Sequence, residues 1–77
     1  MLLDRGYMKK IVIQSEYITL GQFLKFSGII SSGAMAKMYL LENSVLVDGV
    51  NESRRGRKLY PKTVIEVNNQ KYEIGRE

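Results

Sequence analysis

The sequence contains no cysteine, no histidine and no tryptophan, and its only proline is Pro61. Without cysteine there is no disulfide framework and no thiol nucleophile. Without either residue the preferred ligands of structural zinc and the usual proton shuttle near neutral pH are missing as well. No cofactor and no metal are therefore expected, and the lack of disulfides suits a reducing cytoplasm, the expected location. Apolar runs of membrane-spanning length are absent, and Met1-Leu2-Leu3-Asp4-Arg5-Gly6 is too short and polar for a secretory core, so no membrane partner is expected. The carboxylates Glu42, Asp48, Glu52 and Glu66 are scattered, with no spacing that suggests a metal site or an acid/base pair.

What is present reads as one small folded domain. The 77 residues are 44% hydrophobic and 26% charged, with a net charge of +4, too mixed in sign for a disordered chain. The expected organisation is an extension running into the start of the first strand over residues 1–10, with residues 1–7 loosely held, and a single domain over 11–77.

Ile11-Val12-Ile13 is β-branched throughout and predicts a strand. Thr19 with Gln22 fits a capping box, Leu20, Phe23 and Leu24 share a helical face, and Gly28 supplies a stop, which predicts a first helix over 20–27. Ser31-Ser32 offers an N-cap for a second helix from Gly33 to Glu42, with Ala34, Met38 and Leu41 as its core face and Met35 on the flank. That helix is apolar almost all round, so it is expected to be covered on two sides.

From Val45 the period changes to two. Asp48-Gly49 between Val45-Leu46-Val47 and Val50 predicts a type I′ hairpin, Tyr60-Pro61-Lys62-Thr63 a further turn, and Asn68-Asn69 a turn between the strands Val64–Val67 and Lys71–Ile74. Helices ahead of mainly antiparallel strands make an α+β layout, with two helices packed on one face of a small sheet.

Function is concentrated in Arg54-Arg55-Gly56-Arg57-Lys58-Leu59-Tyr60-Pro61-Lys62. This stretch holds five of the chain's twelve basic residues and no anion. Such a run also serves as a solvated strand edge. Gatekeeping, however, needs only one or two charges, and Arg54, Arg55 and Arg57 together, with no acidic neighbour in the run, repel one another unless an anion joins them. Arginine pairs with phosphate through a planar fork and lysine as a point charge, so a phosphate-bearing partner fits. Lys37, the lone cation of the second helix, Lys25 near the end of the first, and Ser32 at the helix start are secondary candidates. For each lysine taken alone an ordinary solubilising role is the stronger reading, and helix capping explains the serine without any ligand. Phe23 is expected in the core and Phe26 partly exposed; Tyr60, beside the basic run, is the one tyrosine to consider for stacking on a base, although a structural role is the stronger expectation.

The ordered set Leu20, Phe23-Leu24, Gly28, Ser32, Ala36-Lys37, Leu40-Leu41, Val45 and Val47-Asp48-Gly49 resembles the S4-type RNA-binding domain over residues 18–67. Ser32-Gly33-Ala34-Met35-Ala36-Lys37 and Glu52-Ser53-Arg54-Arg55-Gly56-Arg57-Lys58 look most like the small stand-alone bacterial members of the YaaA/YbcJ type. The resemblance implies the αL RNA-binding motif, two helices on a small, mainly antiparallel curved sheet, with RNA held by the helix pair and the basic loop. Together with the residue reading above, the expected RNA contacts are Lys25, Ser32, Lys37, Arg54, Arg55, Arg57, Lys58 and Lys62. Many members carry an arginine directly after the helix-start serine; here Gly33 stands there, which shifts the expected binding toward the Arg54–Lys58 cluster. The expected function is that of a non-catalytic, monomeric binder of structured RNA, either ribosomal RNA or a ribosome-assembly intermediate. The alternative is a protein-binding adaptor that docks an acidic partner through the same segment. Duplex DNA fits less well, because no helix carries a row of base-reading side chains.

Overall fold

The computed structural model describes residues 8–77, so the expectation for residues 1–7 lies outside the described residues. In chain order the elements are β1 (Met8–Ile13), β2 (Ile18–Thr19), α1 (Leu20–Phe26), a 3-10 turn (Gly33–Met35), α2 (Ala36–Glu42), β3 (Leu46–Val47), β4 (Val50–Asn51), β5 (Lys58–Leu59), β6 (Val64–Val67) and β7 (Gln70–Arg76).

Helix α1 begins and ends on local chemistry. The Thr19 hydroxyl accepts from the Gln22 N–H (3.2 Å) while the Thr19 N–H donates to Gln22 Oε1 (2.8 Å), the reciprocal capping box. At the other end Gly28 takes φ +81°. Its N–H donates to the Lys25 carbonyl and the Ile29 N–H to that of Leu24, the paired bonds of a Schellman stop.

Five strands form one sheet in the order β1-β7-β6-β3-β4, and β2 pairs with β5 in a separate two-stranded ribbon. The sheet is antiparallel except that β1 runs parallel to β7, from Met8 opposite Lys71 to Ile13 opposite Arg76. Both two-residue hairpins have the positive φ at both central residues that a type I′ turn requires, +49° and +84° at Asp48-Gly49 and +54° and +62° at Asn68-Asn69. Asp48 also fixes its neighbour, accepting the Val64 N–H on Oδ1 (2.9 Å).

One core joins the two layers. Leu20, Phe23 and Leu24 of α1 share it with Ile65 and Val67 of β6 and Tyr72 and Ile74 of β7, and Phe23 meets the Tyr72 ring edge-on at 5.1 Å. Phe26, by contrast, is 61% exposed.

The second helix departs from its expected phase. Its core face is Ala36 and Leu40, with Tyr39 packed alongside, whereas Ala34 and Met35 are exposed and Met38 and Leu41 are 58% and 70% exposed. The helix is therefore covered on one side and bare on the other. Two physical reasons explain the difference. Residues 33–35 wind as a 3-10 turn of roughly 3.0 residues rather than about 3.6, which rotates every later residue relative to a count begun at Ala34. A helix apolar all round also gives the period nothing to lock onto.

Candidate nucleic-acid interface

The basic run does not lie free of acid. Glu52, only 8% exposed, sits at its root and organises it. Oε2 accepts from the Ser53 N–H (3.1 Å), the Arg54 N–H (2.9 Å) and Arg54 Nε (3.0 Å); Oε1 accepts from Arg54 Nη2 (3.2 Å) and Arg57 Nη1 (2.8 Å). The guanidinium and backbone N–H of Arg54, with Arg57 adding to them, outweigh the effect of burial and hold this carboxyl at about 2, below its ordinary 4.5. The expectation of arginines without an acidic neighbour is corrected here. Arg54 and Arg57 are ion-paired within the fold, and the signal was Glu52 itself, two residues ahead of Arg54.

The same loop is docked on α1. The carbonyls of Arg57 and Arg55 accept the N–H groups of Leu20 (2.8 Å) and Gly21 (2.9 Å), two of the donors that a helix start leaves unpaired. Gly21 lies where the elements approach one another. A Cβ there would stand 3.4 Å from the Arg55 carbonyl oxygen and 3.5 Å from Ala36 Cβ, so loop, α1 and α2 meet at this point. The open groove between them is lined by Thr19, Gly21, Gln22, Gly33, Ala36, Arg55 and Gly56.

Around this groove the proposed site residues divide. Arg55 lines it, exposed, and among the described residues no carboxylate pairs with it. Lys37 follows Ala36 directly, about one turn on from Gly33, and Lys25 lies one turn on from Gly21; both are exposed. Ser32 is exposed beside Gly33, and its side chain makes no capping hydrogen bond, which corrects the expectation that capping would occupy it. Arg54 and Arg57 are held in the Glu52 network and do not line the groove. Lys58 belongs to β5, with Nζ 5.0 Å from the centre of the Tyr17 ring. Lys62 stands on a different element, in the turn before β6, its N–H donating to the Ile74 carbonyl (2.7 Å). The β2–β5 ribbon and Gly21 were not legible: two-residue strands show no period, and a glycine in a helix carries no sign of what it touches.

Among the described residues no group of three or more histidine, cysteine, aspartate or glutamate side chains is placed to hold a metal ion, and no helix is long and apolar enough to cross a membrane.

Two short helices beside a small, mainly antiparallel sheet are the arrangement the sequence resemblance implied, and comparison with known proteins agrees on that fold. The S4 domain family model matches residues 11–75, and the chain belongs to that family. A protein of Bacillus subtilis (strain 168) described as probable ribosome maturation protein RlbA is 54% identical over 57 residues, covering 74% of this chain and 80% of that protein. Among solved structures, the solution structure of YbcJ from E. coli superposes with a TM-score of 0.67 at 25% identity, over 97% of this chain and 96% of the other. That structure is described as revealing an αL motif involved in RNA binding.

Proposed function

We propose that this protein binds structured RNA, ribosomal RNA or a ribosome-assembly intermediate, through the groove between α1, α2 and the 52–58 loop, without catalytic chemistry of its own. The observation that carries this reading is the groove itself. Three elements meet there, Arg55 lines it, and the exposed Lys37 and Lys25 follow one turn after its lining residues Gly33 and Gly21, all three cations without an ion pair among the described residues. The RNA-binding motif described for YbcJ and the maturation role named for RlbA support the choice of partner. Lys58, Lys62 and the outward edge of Arg54 extend the cationic surface.

The test is binding of nuclease-treated protein to ribosomal RNA at two salt concentrations. About four phosphate contacts give a log–log salt slope of roughly −3 to −4, a loss on the order of a hundredfold between about 50 and 200 mM salt. Replacing Lys25, Lys37 and Arg55 together by alanine should flatten that slope by roughly 2 to 3 while the thermal melt holds. Equal binding by both proteins would remove the proposal. A protein partner retained after nuclease treatment and lost in the same variant would favour the adaptor alternative.

A further inference from the structure

The β2–β5 ribbon carries chemistry that the groove does not use. Its register pairs Ile18 with Leu59 and Thr19 with Lys58. Continued by one residue, that register sets Tyr17 opposite Tyr60. Strand alternation then places Ile18 and Leu59 on one face and Tyr17, Thr19, Lys58 and Tyr60 on the other. The inner face is sealed, with Ile18 at 5% and Leu59 at 0% exposure, while the ring-bearing Tyr60 is 49% exposed. The two rings lie 5.6 Å apart at 51°, and Lys58 Nζ rests over Tyr17.

We propose that this outer ribbon face is a stacking platform for an unpaired base of the bound RNA, with Tyr60 as the stacking ring and Lys58 as the cation for the adjoining phosphate. The proposal rests on the RNA-binding reading above and adds to it the class of RNA: one that presents an unstacked nucleotide next to the phosphates held in the groove. Three features support it. Tyr72 is buried against Phe23, whereas Tyr60 offers its ring to solvent beside the Tyr17 ring over which Lys58 Nζ lies. The platform is preorganised: the Thr63 N–H closes the Tyr60-Pro61-Lys62-Thr63 turn onto the Tyr60 carbonyl (3.0 Å), and the Ser15 hydroxyl donates to the Tyr17 carbonyl (2.8 Å). It is also continuous with the groove, because Thr19 lies on this ribbon face and lines the groove as well. Stacking tolerates any base, since every base has a π-face, so the platform selects for single-strandedness rather than sequence.

The experiment uses the intact protein, a short oligoadenylate and its abasic counterpart, which keeps the sugar-phosphate chain and lacks the bases. In NMR titrations the Tyr60 ring protons should move upfield with oligoadenylate and stay in place with the abasic oligomer. Tyr60→Leu should weaken oligoadenylate binding on the order of tenfold, and Tyr60→Phe should stay within about twofold of wild type. All three proteins should share one salt slope, because no charge has changed. A Tyr60 ring that does not respond, or equal affinity for the two oligomers, overturns the platform, and the ring measurement on wild type requires no variant to fold. The groove reading is judged separately: loop 52–58 amides that respond to both oligomers while the ring stays still would leave phosphate binding standing and remove the platform alone.

Discussion

The two halves of the basic segment use their charges differently. In the first half Arg54 and Arg57 close on the buried Glu52 and only Arg55 turns to the groove; in the second half Lys58 and Lys62 have no carboxylate partner among the described residues. Charge counted along a sequence is thus not charge available to a ligand. Part of the run builds the loop that presents the rest, and Glu52 is the residue that separates the two roles.

The largest break in this comparison comes from Glu52→Gln. The amide keeps one acceptor oxygen for the two guanidinium groups, but it carries no charge and its NH2 meets the Ser53 and Arg54 donors that the second carboxylate oxygen accepts from. Because Arg54 is largely solvated, the expected loss of stability is about 1–3 kcal/mol rather than the full cost of breaking a buried pair. The effect has a pH signature. The folded carboxyl is held at about 2 against 4.5 ordinarily, so its contribution is fully present above about 4.5 and fades as pH falls toward 2. The difference in denaturation midpoint between wild type and variant should shrink across that window. A gap that is constant with pH would show that Glu52 acts through packing instead.

Arg55→Ala and Arg54→Ala sharpen the contrast between loop-building and ligand-facing arginines. Arg55→Ala should weaken RNA binding about tenfold with little change in melting temperature. Arg54→Ala should lower stability and change binding less. The reverse ranking would mean that the Glu52 pairing opens when RNA arrives.

Gly33→Arg tests the groove from its other wall. Nothing lies within 4 Å of a Cβ placed at Gly33, so a longer side chain fits without moving the backbone. One added cation at the groove should tighten RNA binding about threefold at low salt and steepen the log–log slope by roughly 0.9. An unchanged slope would place the phosphates elsewhere.

How much of this was legible follows from what each residue reports about itself. Asp48-Gly49, Asn68-Asn69 and the Thr19–Gln22 box announce backbone conformations by their own side chains, and they stand as expected. The phase of α2 was hidden because Met35, Met38 and Leu41 are as apolar as Ala36 and Leu40, and the 3-10 turn over residues 33–35 shifts which of them turn inward. Glu52 was visible but read as one of several scattered acids, since its role depends on a loop that curls back over five residues.

Lys62 carries the smallest expected effect and joins both sides of the comparison. It occupies the third position of the Tyr60–Thr63 turn at φ +78°, where a type II turn favours glycine. The left-handed conformation costs an L-residue about 1–2 kcal/mol, and glycine returns part of that through its freer unfolded chain. Lys62→Gly should therefore stabilise the fold by about 0.5 kcal/mol, a rise of roughly 2–4 °C in melting temperature. If the same variant loses roughly 0.9 of the RNA salt slope, the strain is retained for a phosphate contact. If the slope is unchanged, Lys62 leaves the interface and the RNA path ends at Tyr60. A melting temperature that falls would show that the lysine stem, not the backbone, governs this turn.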